Sequence, residues 1–135
     1  MIIEIETLSK APIYEQLREQ VLLGIASKKI ARGEALPSVR RLAADLGINL
    51  HTVNKAYAIL CEEGYIVMDR RKGALVAQTV GGGEEFKGKL AYQLRLSAAE
   101  AVCRNISENE FKRICVDCYR NAQSESEIGE MSCQK

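Results

Sequence analysis

The stretch from Leu36 to Tyr65 places two short helices on either side of one glycine, and no other feature restricts the fold as much. Ser38 is a favourable N-cap for the first helix, whose apolar residues recur at the spacing of one helical face. Gly47 occupies the usual left-handed position at the end of that helix, and Asn49 can cap the second. Two helices joined by a turn of about three residues form a helix-turn-helix.

Upstream of this motif the pattern predicts one longer helix. Apolar residues step by four from about Pro12 to Ser27, which indicates an amphipathic helix with one core-facing stripe. The weak alternation at Ile3 and Ile5 indicates a short strand before it. The segment KKIARGEALP, residues 28–37, is predicted to be a loop.

Two short apolar runs follow the motif, Tyr65 to Asp69 and Ala74 to Gln78, and the basic sequence RRKG separates them. This pattern predicts a two-stranded hairpin with a basic tip. A helix-turn-helix followed by such a hairpin is a winged helix. We therefore predict a mainly α fold with a small β-hairpin, in which residues 1–80 form a winged helix-turn-helix domain.

The sequence GGGEE at Gly81 to Glu85 is the clearest break in the chain. Two amphipathic helices are predicted beyond it, the second opening on a capping box from Ser107 to Glu110. One short turn between them leaves apolar surface that a second copy can cover, so we predict a homodimer through residues 84–120, with 121–135 a flexible tail. The predicted interface residues are apolar or small: Phe86, Leu90, Leu94, Ala98, Val102, Phe111, Ile114, Cys115 and Cys118.

The composition argues against several other classes of protein. A hydrophobic content of 47% and a charged content of 27% are ordinary for a globular domain. No apolar run approaches the roughly eighteen residues of a membrane span, and the N-terminus has no basic region before its apolar stretch. We therefore expect a cytoplasmic protein without membrane association. Five cysteines and one histidine show no paired-ligand spacing, so neither a metal site nor a cofactor is predicted.

The start of the second motif helix is polar on its outer side, whereas Val53, Ala56 and Tyr57 fall on the inner side. In a helix-turn-helix this first turn meets base edges in the major groove. A basic hairpin tip can follow the phosphate backbone to the minor groove. Each such side chain alone is more often solvated surface, but their order along the chain favours DNA binding. The predicted DNA-binding residues are Ser38, Arg40, Arg41, Asn49, Leu50, His51, Thr52, Asn54, Lys55, Arg70, Arg71, Lys72 and Gly73.

The segments PIYEQLREQVLLGI, RGEALPSVRRLAADLGINLHTVNKAYAILCEEGYI and RRKGALVA resemble the N-terminal DNA-binding domain of GntR-family transcription regulators. The short C-terminal part is similar to the YtrA-type subfamily, whose members dimerise through such helices and often repress genes near membrane transporters. The resemblance implies DNA contacts at these positions: Arg40, Asn49, Leu50, His51, Thr52 and Asn54, with Gly73 as the wing glycine. Some family members carry arginine or threonine at Leu50, His51 and Asn54, so the operator sequence cannot be transferred.

We therefore predict a sequence-specific, double-stranded-DNA-binding regulator, most simply a dimeric repressor on a pseudo-palindromic operator, without catalytic residues or a recognisable small-molecule effector. An enzyme is one alternative, since a related branch fuses this domain to a pyridoxal-phosphate aminotransferase, but only about 57 residues follow the wing. A second alternative is a redox- or metal-responsive regulator that uses Cys103, Cys115 or Cys118. A third is a winged helix that binds other proteins.

Overall fold

A computed structural model describes residues 3–6 and 8–124 of the chain. The elements in chain order are α1 (Ile13–Ala26), α2 (Val39–Leu46), α3 (Leu50–Glu62), β1 (Ile66–Asp69), β2 (Gly73–Val76), α4 (Gly83–Cys103) and α5 (Glu108–Gln123). The chain divides into two compact units at the boundary between Val80 and Gly81. The predicted fold class, mainly helical with one small antiparallel hairpin, is confirmed. None of the helices in the described ranges is long and apolar enough to cross a membrane.

The core of the first unit is built around α3, which packs against α1, α2 and β1. Leu17 and Val21 of α1 meet Val53 and Leu60 of α3, and all four side chains have no exposed surface. Burying a side chain of this size stabilises the fold by roughly 1.5–3 kcal/mol. This inward set fixes the rotation of α3 about its axis, and therefore decides which of its residues face outward.

The helix ends of the motif are capped as the sequence predicts. The Ser38 hydroxyl accepts a hydrogen bond from the backbone N–H of Arg41 at 3.1 Å, and the Asn49 side-chain oxygen accepts one from His51 at 2.8 Å. Gly47 ends α2 with a φ of 66°, a left-handed conformation that a residue with a Cβ adopts only at a cost. These local signals hold α2 and α3 to a turn of three residues.

The predicted strand at Ile3 and Ile5 is wrong, because residues 3–6 form no strand. Their backbone is bound instead by two side-chain amides of α1. The Gln20 oxygen accepts from the N–H of Glu4 at 2.8 Å, and the Gln20 amide donates back to the carbonyl of Glu4. Gln16 exchanges the same pair of bonds with Glu6, at 2.8 and 3.0 Å. Two glutamines one helical turn apart thus make the hydrogen bonds that a neighbouring strand would have made to this backbone.

The segment predicted as a loop before α2 pairs with the hairpin. The strands β1 and β2 are antiparallel, with Ile66 opposite Val76 and Asp69 opposite Gly73. On the other side of β2, the N–H of Gly33 donates to the Val76 carbonyl at 2.9 Å. The N–H of Leu36 likewise donates to the Ala74 carbonyl at 2.8 Å. The hairpin is therefore anchored to the chain that enters the helix-turn-helix.

A bidentate ion pair joins α1 to the end of α3. The Arg18 guanidinium donates to both carboxylate oxygens of Glu63, at 2.6 and 2.9 Å, with about a quarter of each side chain exposed. The hydrogen bond to Glu63 raises the pKa of Arg18 above its usual value. Parallel N–H···O bonds of this kind fix geometry as well as charge. The pair restrains the angle between the two helices.

The Tyr57 hydroxyl gives a test of the coupling between α3 and the entrance to α2. It donates to the Pro37 carbonyl at 2.7 Å, and burial raises the pKa of Tyr57 to about 12. We expect Tyr57→Phe to lower the free energy of unfolding by about 0.5–1.5 kcal/mol at neutral pH. Chemical denaturation monitored by circular dichroism measures this change.

The same tyrosine predicts an alkaline dependence of stability. Its pKa in the folded protein is raised above its ordinary value of 10.0, so its contribution is complete below pH 10 and is lost as the pH rises towards about 12. The variant lacks this titration, and the stability difference between the two proteins should shrink over that window. A difference that stays constant from pH 9 to about 12 would contradict the assignment.

The second unit consists of α4 and α5. Gly82 precedes α4 with a φ of 75°, and the Ser107 hydroxyl caps α5 by accepting from the N–H of Glu110 at 3.1 Å. The helix α5 runs to Gln123, three residues beyond the boundary expected from the sequence. The remainder of the predicted tail, residues 125–135 with Cys133, lies outside the described residues.

Candidate nucleic-acid interface

The first two turns of α3 present an exposed row of mixed chemistry. His51, Asn54 and Lys55 are exposed, Thr52 is half-buried, and Leu50 keeps 41% of its surface accessible. The cap uses only the side-chain oxygen of Asn49, which leaves its amide nitrogen as a donor. Donors, acceptors and one apolar side chain therefore lie together at a helix N-terminus, a combination suited to base edges in a major groove.

The two arginines of α2 differ in their surroundings. Arg41 forms an ion pair with Asp45 at 3.7 Å, and both side chains are exposed. Arg40 is also exposed, and no ion pair involves it within residues 3–6 and 8–124. Beside them, the Ser38 oxygen already accepts the cap bond, but its hydroxyl proton can still be donated. Within the described ranges no carboxylate therefore competes with an anionic ligand for the N–H donors of Arg40.

The hairpin tip is organised by Asp69, a residue absent from the predicted site. One carboxylate oxygen of Asp69 accepts from the N–H of Arg71 at 2.7 Å and from the N–H of Lys72 at 2.9 Å. These backbone hydrogen bonds, with the larger effect from Lys72 and the smaller from Arg71, lower the pKa of Asp69 below its usual value. Gly73 follows with a φ of 78°, and a Cβ there would meet nothing within 4 Å, so the backbone conformation alone favours glycine.

The side chains of Arg70, Arg71 and Lys72 are exposed on this turn. The aspartate before a basic run is a signal that sequence reasoning can use, because aspartate often accepts from backbone N–H groups two residues further on. The tip is thus a defined turn that displays three positive charges, with one carboxylate directed at its own backbone.

Replacing Asp69 tests this turn. We expect Asp69→Asn to keep the hairpin, because the amide oxygen can accept the same bonds, and to bind DNA at least as tightly because a negative charge is removed. Asp69→Ala should weaken DNA binding by loosening the tip. Since the pKa of Asp69 is lowered, its contribution is present above about pH 4 and is lost as the pH falls further. The affinity of both variants for DNA measures this difference. If Asp69→Asn and Asp69→Ala changed the affinity equally, Asp69 would not organise the turn.

Lys55 has a partner on another helix. Its ammonium nitrogen lies 4.0 Å from the centre of the Tyr14 ring, on the first turn of α1. Sequence reasoning placed Lys55 on the outer side of α3 but gave no indication of this contact, since the two residues are far apart in the chain.

The residues predicted for dimerisation all lie on the second unit, and most are solvent-accessible. Exposed fractions are 49% for Phe86, 39% for Leu90, 42% for Leu94, 45% for Ile114 and 72% for Val102. Cys118 is exposed as well, whereas Ala98, Phe111 and Cys115 are half-buried. Further large apolar side chains that the prediction omitted are exposed too: Tyr92, Leu96, Val116 and Tyr119. Within the described part of the chain, no group of three or more side chains suited to a metal ion occurs.

Comparison with known proteins identifies relatives of this chain. The profile of the bacterial regulatory proteins of the gntR family matches residues 11–76. The HTH-type transcriptional repressor YtrA of Bacillus subtilis is 38% identical over 76 residues, which are 56% of this chain and 58% of that protein. The uncharacterized HTH-type transcriptional regulator YhcF of the same organism is 29% identical over 86 residues, 64% of this chain and 71% of YhcF. The chain thus matches somewhat more than half the length of YtrA.

Solved structures extend the likeness. YtrA from Sulfolobus acidocaldarius, a GntR-family transcription factor, is 37% identical with a TM-score of 0.64, over 73% of this chain and 99% of that one. The DNA-binding domain of AraR in complex with operator ORX1 matches with a TM-score of 0.50 and 27% identity, over 57% of this chain and 99% of that domain. A transcriptional antiterminator from Listeria monocytogenes reaches a TM-score of 0.82 over 92% of this chain and 94% of that one; at 22% identity this shows the fold alone.

Proposed function

The chain belongs to the GntR family of bacterial regulatory proteins and is a DNA-binding transcriptional regulator, and we propose that it works as a dimeric repressor on a pseudo-palindromic operator. The observation that carries the proposal is the arrangement within the first unit. An exposed polar helix start, an arginine free of carboxylates in the described structure and a basic hairpin tip are all carried by elements that surround one hydrophobic core. The relative YtrA of Bacillus subtilis, itself named a repressor, supports the sign of regulation.

The N-terminus of α3 would enter the major groove, which is about 12 Å wide. Asn49, His51 and Asn54 can then bond to base edges, and Leu50 can contact a thymine methyl. Thr52 is half-buried, and its hydroxyl is better suited to a phosphate oxygen close to the helix. In this arrangement α3 supplies sequence recognition.

The groups around α3 would fix the register on the duplex. Arg40 can reach a guanine or a phosphate from the first turn of α2, and Ser38 and Arg41 lie at the same end of that helix. Arg70, Arg71 and Lys72 can follow the backbone towards the minor groove, with Gly73 allowing close approach. Contacts of this second kind add affinity without sequence information.

The second unit would supply dimerisation. Phe86, Leu90 and Leu94 recur every fourth residue along α4, so they form one apolar stripe with roughly two fifths to one half of each side chain exposed. Contiguous apolar side chains exposed on a single copy are typical of an interaction surface. A second copy related by a two-fold axis would cover it, and two-fold symmetry requires a pseudo-palindromic operator with half-sites about one DNA turn apart.

Repression is the simplest mode for such a dimer. A protein that occupies an operator overlapping a promoter blocks RNA polymerase by its bulk, and no further surface is required. The site of action would be the cytoplasm, where the chromosome lies.

Selection of bound duplexes from a random DNA pool tests the proposal. We expect enrichment of a pseudo-palindromic sequence, and an affinity that falls as salt rises, with a slope of about 0.9 per neutralised phosphate on logarithmic axes. A scrambled duplex of the same length is the control. A pool that shows no enrichment, or binding that salt leaves unchanged, would rule the function out. Transcription in vitro from a promoter carrying the selected site then distinguishes repression from activation.

A further inference from the structure

Lys55 is held differently from the other cations near the proposed DNA surface. It projects from the second turn of α3, directly after Asn54, the last residue proposed to meet a base edge. Its ammonium lies 4.0 Å from the centre of the Tyr14 ring, and no carboxylate pairs with it in the part of the chain that the structure describes. Tyr14 itself is half-buried and packed against the hydrophobic core.

The chemistry of this contact leaves the lysine able to bind an anion. An aromatic ring attracts a cation through its quadrupole but carries no net charge, so the contact places no negative charge beside Lys55. An ion pair, such as that of Arg41 with Asp45, instead brings a negative charge next to the cation. The ammonium also keeps its three N–H donors, because the ring face accepts no conventional hydrogen bond.

The ring also limits the freedom of a long side chain. An unrestrained lysine loses rotamer entropy when a ligand fixes it, and a side chain already resting on a ring has less to lose. Because Tyr14 packs against the core, the packing of α1 against α3 restrains the position of its ring. The Tyr14 ring can therefore direct the Lys55 ammonium to a constant place beside the first turns of α3.

We propose that Tyr14 is a positioning residue for DNA binding, which holds the Lys55 ammonium in place to contact a backbone phosphate next to the bases that α3 reads. The inference rests on the proposed function, because it assumes that α3 lies in the major groove. A phosphate is the partner because Lys55 follows the last residue proposed to meet a base edge and carries a compact charge without planar recognition geometry.

A double-mutant cycle on Lys55 and Tyr14 tests the proposal. The variants are Lys55→Gln, which removes the charge, Tyr14→Leu, which removes the ring, and their combination, with Tyr14→Phe as the matched control that keeps the ring. Affinities for the selected operator and for a scrambled duplex are measured across a series of salt concentrations. Thermal melting of each variant confirms folding.

We expect Lys55→Gln to weaken binding to both duplexes by a similar factor and to lower the salt slope by about 0.9, the value for one phosphate. Tyr14→Leu should weaken binding by about two- to fivefold without changing the slope, the size of effect that an exposed cation–π contact supplies. Tyr14→Phe should match the wild type. In the Lys55→Gln background, Tyr14→Leu should have no further effect.

Two results would overturn the inference while leaving the function intact. One is that the wild-type protein binds its operator and the Lys55→Gln variant shows the same salt slope as the wild type. The other is that Tyr14→Leu lowers the DNA affinity by the same factor in the wild-type and in the Lys55→Gln background, because the tyrosine would then act through folding alone. A wild-type protein that binds no duplex overturns the proposed function itself, and this inference with it.

Discussion

Replacing Leu90 and Leu94 together with aspartate should convert the protein into a monomer and weaken operator binding by roughly 10²–10⁴-fold, the gain that two linked half-sites provide. The two residues lie one turn apart on α4 and are 39% and 42% exposed in a single chain, so each has apolar surface left for a partner to cover. In a dimer each aspartate would be buried in an apolar interface without a partner, which is strongly unfavourable. Sedimentation velocity measures the mass.

The opposite side of α4 offers a matched control. Tyr92 and Ala99 are exposed and, at about 100° per residue, lie on the other side of the helix from Leu90 and Leu94. Tyr92→Asp with Ala99→Asp changes the net charge by the same amount and should leave a dimer. A dimer that survives the first pair of changes and is lost with the second would place the interface on the opposite side of α4.

Helices and caps could be predicted from the sequence because they depend on residues a few positions apart. The periodic apolar residues of α3 gave its buried side and therefore the outward residues, which are Leu50, His51, Asn54 and Lys55. Ser38, Asn49 and Ser107 gave the helix starts, since each accepts from a backbone N–H two or three residues further along. Patterns that span so few residues can be recognised in the sequence without knowledge of the tertiary structure.

Features that join distant parts of the chain could not be predicted in the same way. The strand expected at Ile3 and Ile5 failed because Gln16 and Gln20 of α1 bind that backbone instead. The segment before α2 has too little alternation to indicate a strand, yet its pairing with β2 anchors the wing. Arg18 and Glu63 are 45 residues apart, and neither residue alone suggests the other.

The proposed interface shows the same division. Periodicity identified which side chains of α3 face outward, but charge alone treated Arg40, Arg41 and Lys55 as equivalent. The structure separates them into an arginine without an ion pair among described residues, an arginine bound to Asp45, and a lysine resting on Tyr14. Because the surroundings of a charge decide what it can still bind, equal residues in the sequence are expected to contribute unequally to DNA binding.

Arg40→Ala is therefore expected to have the larger effect of the two arginine substitutions on α2. Loss of a base or phosphate contact by Arg40 should cost roughly 1–3 kcal/mol on the selected operator. Arg41→Ala is the matched control, with the same charge change one residue further along, and should cost less because Arg41 is paired with Asp45. Quantitative footprinting on the operator and on a scrambled duplex measures both.

The two duplexes also show what Arg40 contacts. If it bonds to a guanine, the loss falls on the operator alone, and specificity relaxes at one base pair in each half-site. If it binds a phosphate, the loss is similar on both duplexes and the salt slope falls by about 0.9. An Arg40→Ala protein with an unchanged footprint would refute the contact. Since Arg40 is exposed and caps no helix, a loss of binding in this variant could not be attributed to a rearranged fold.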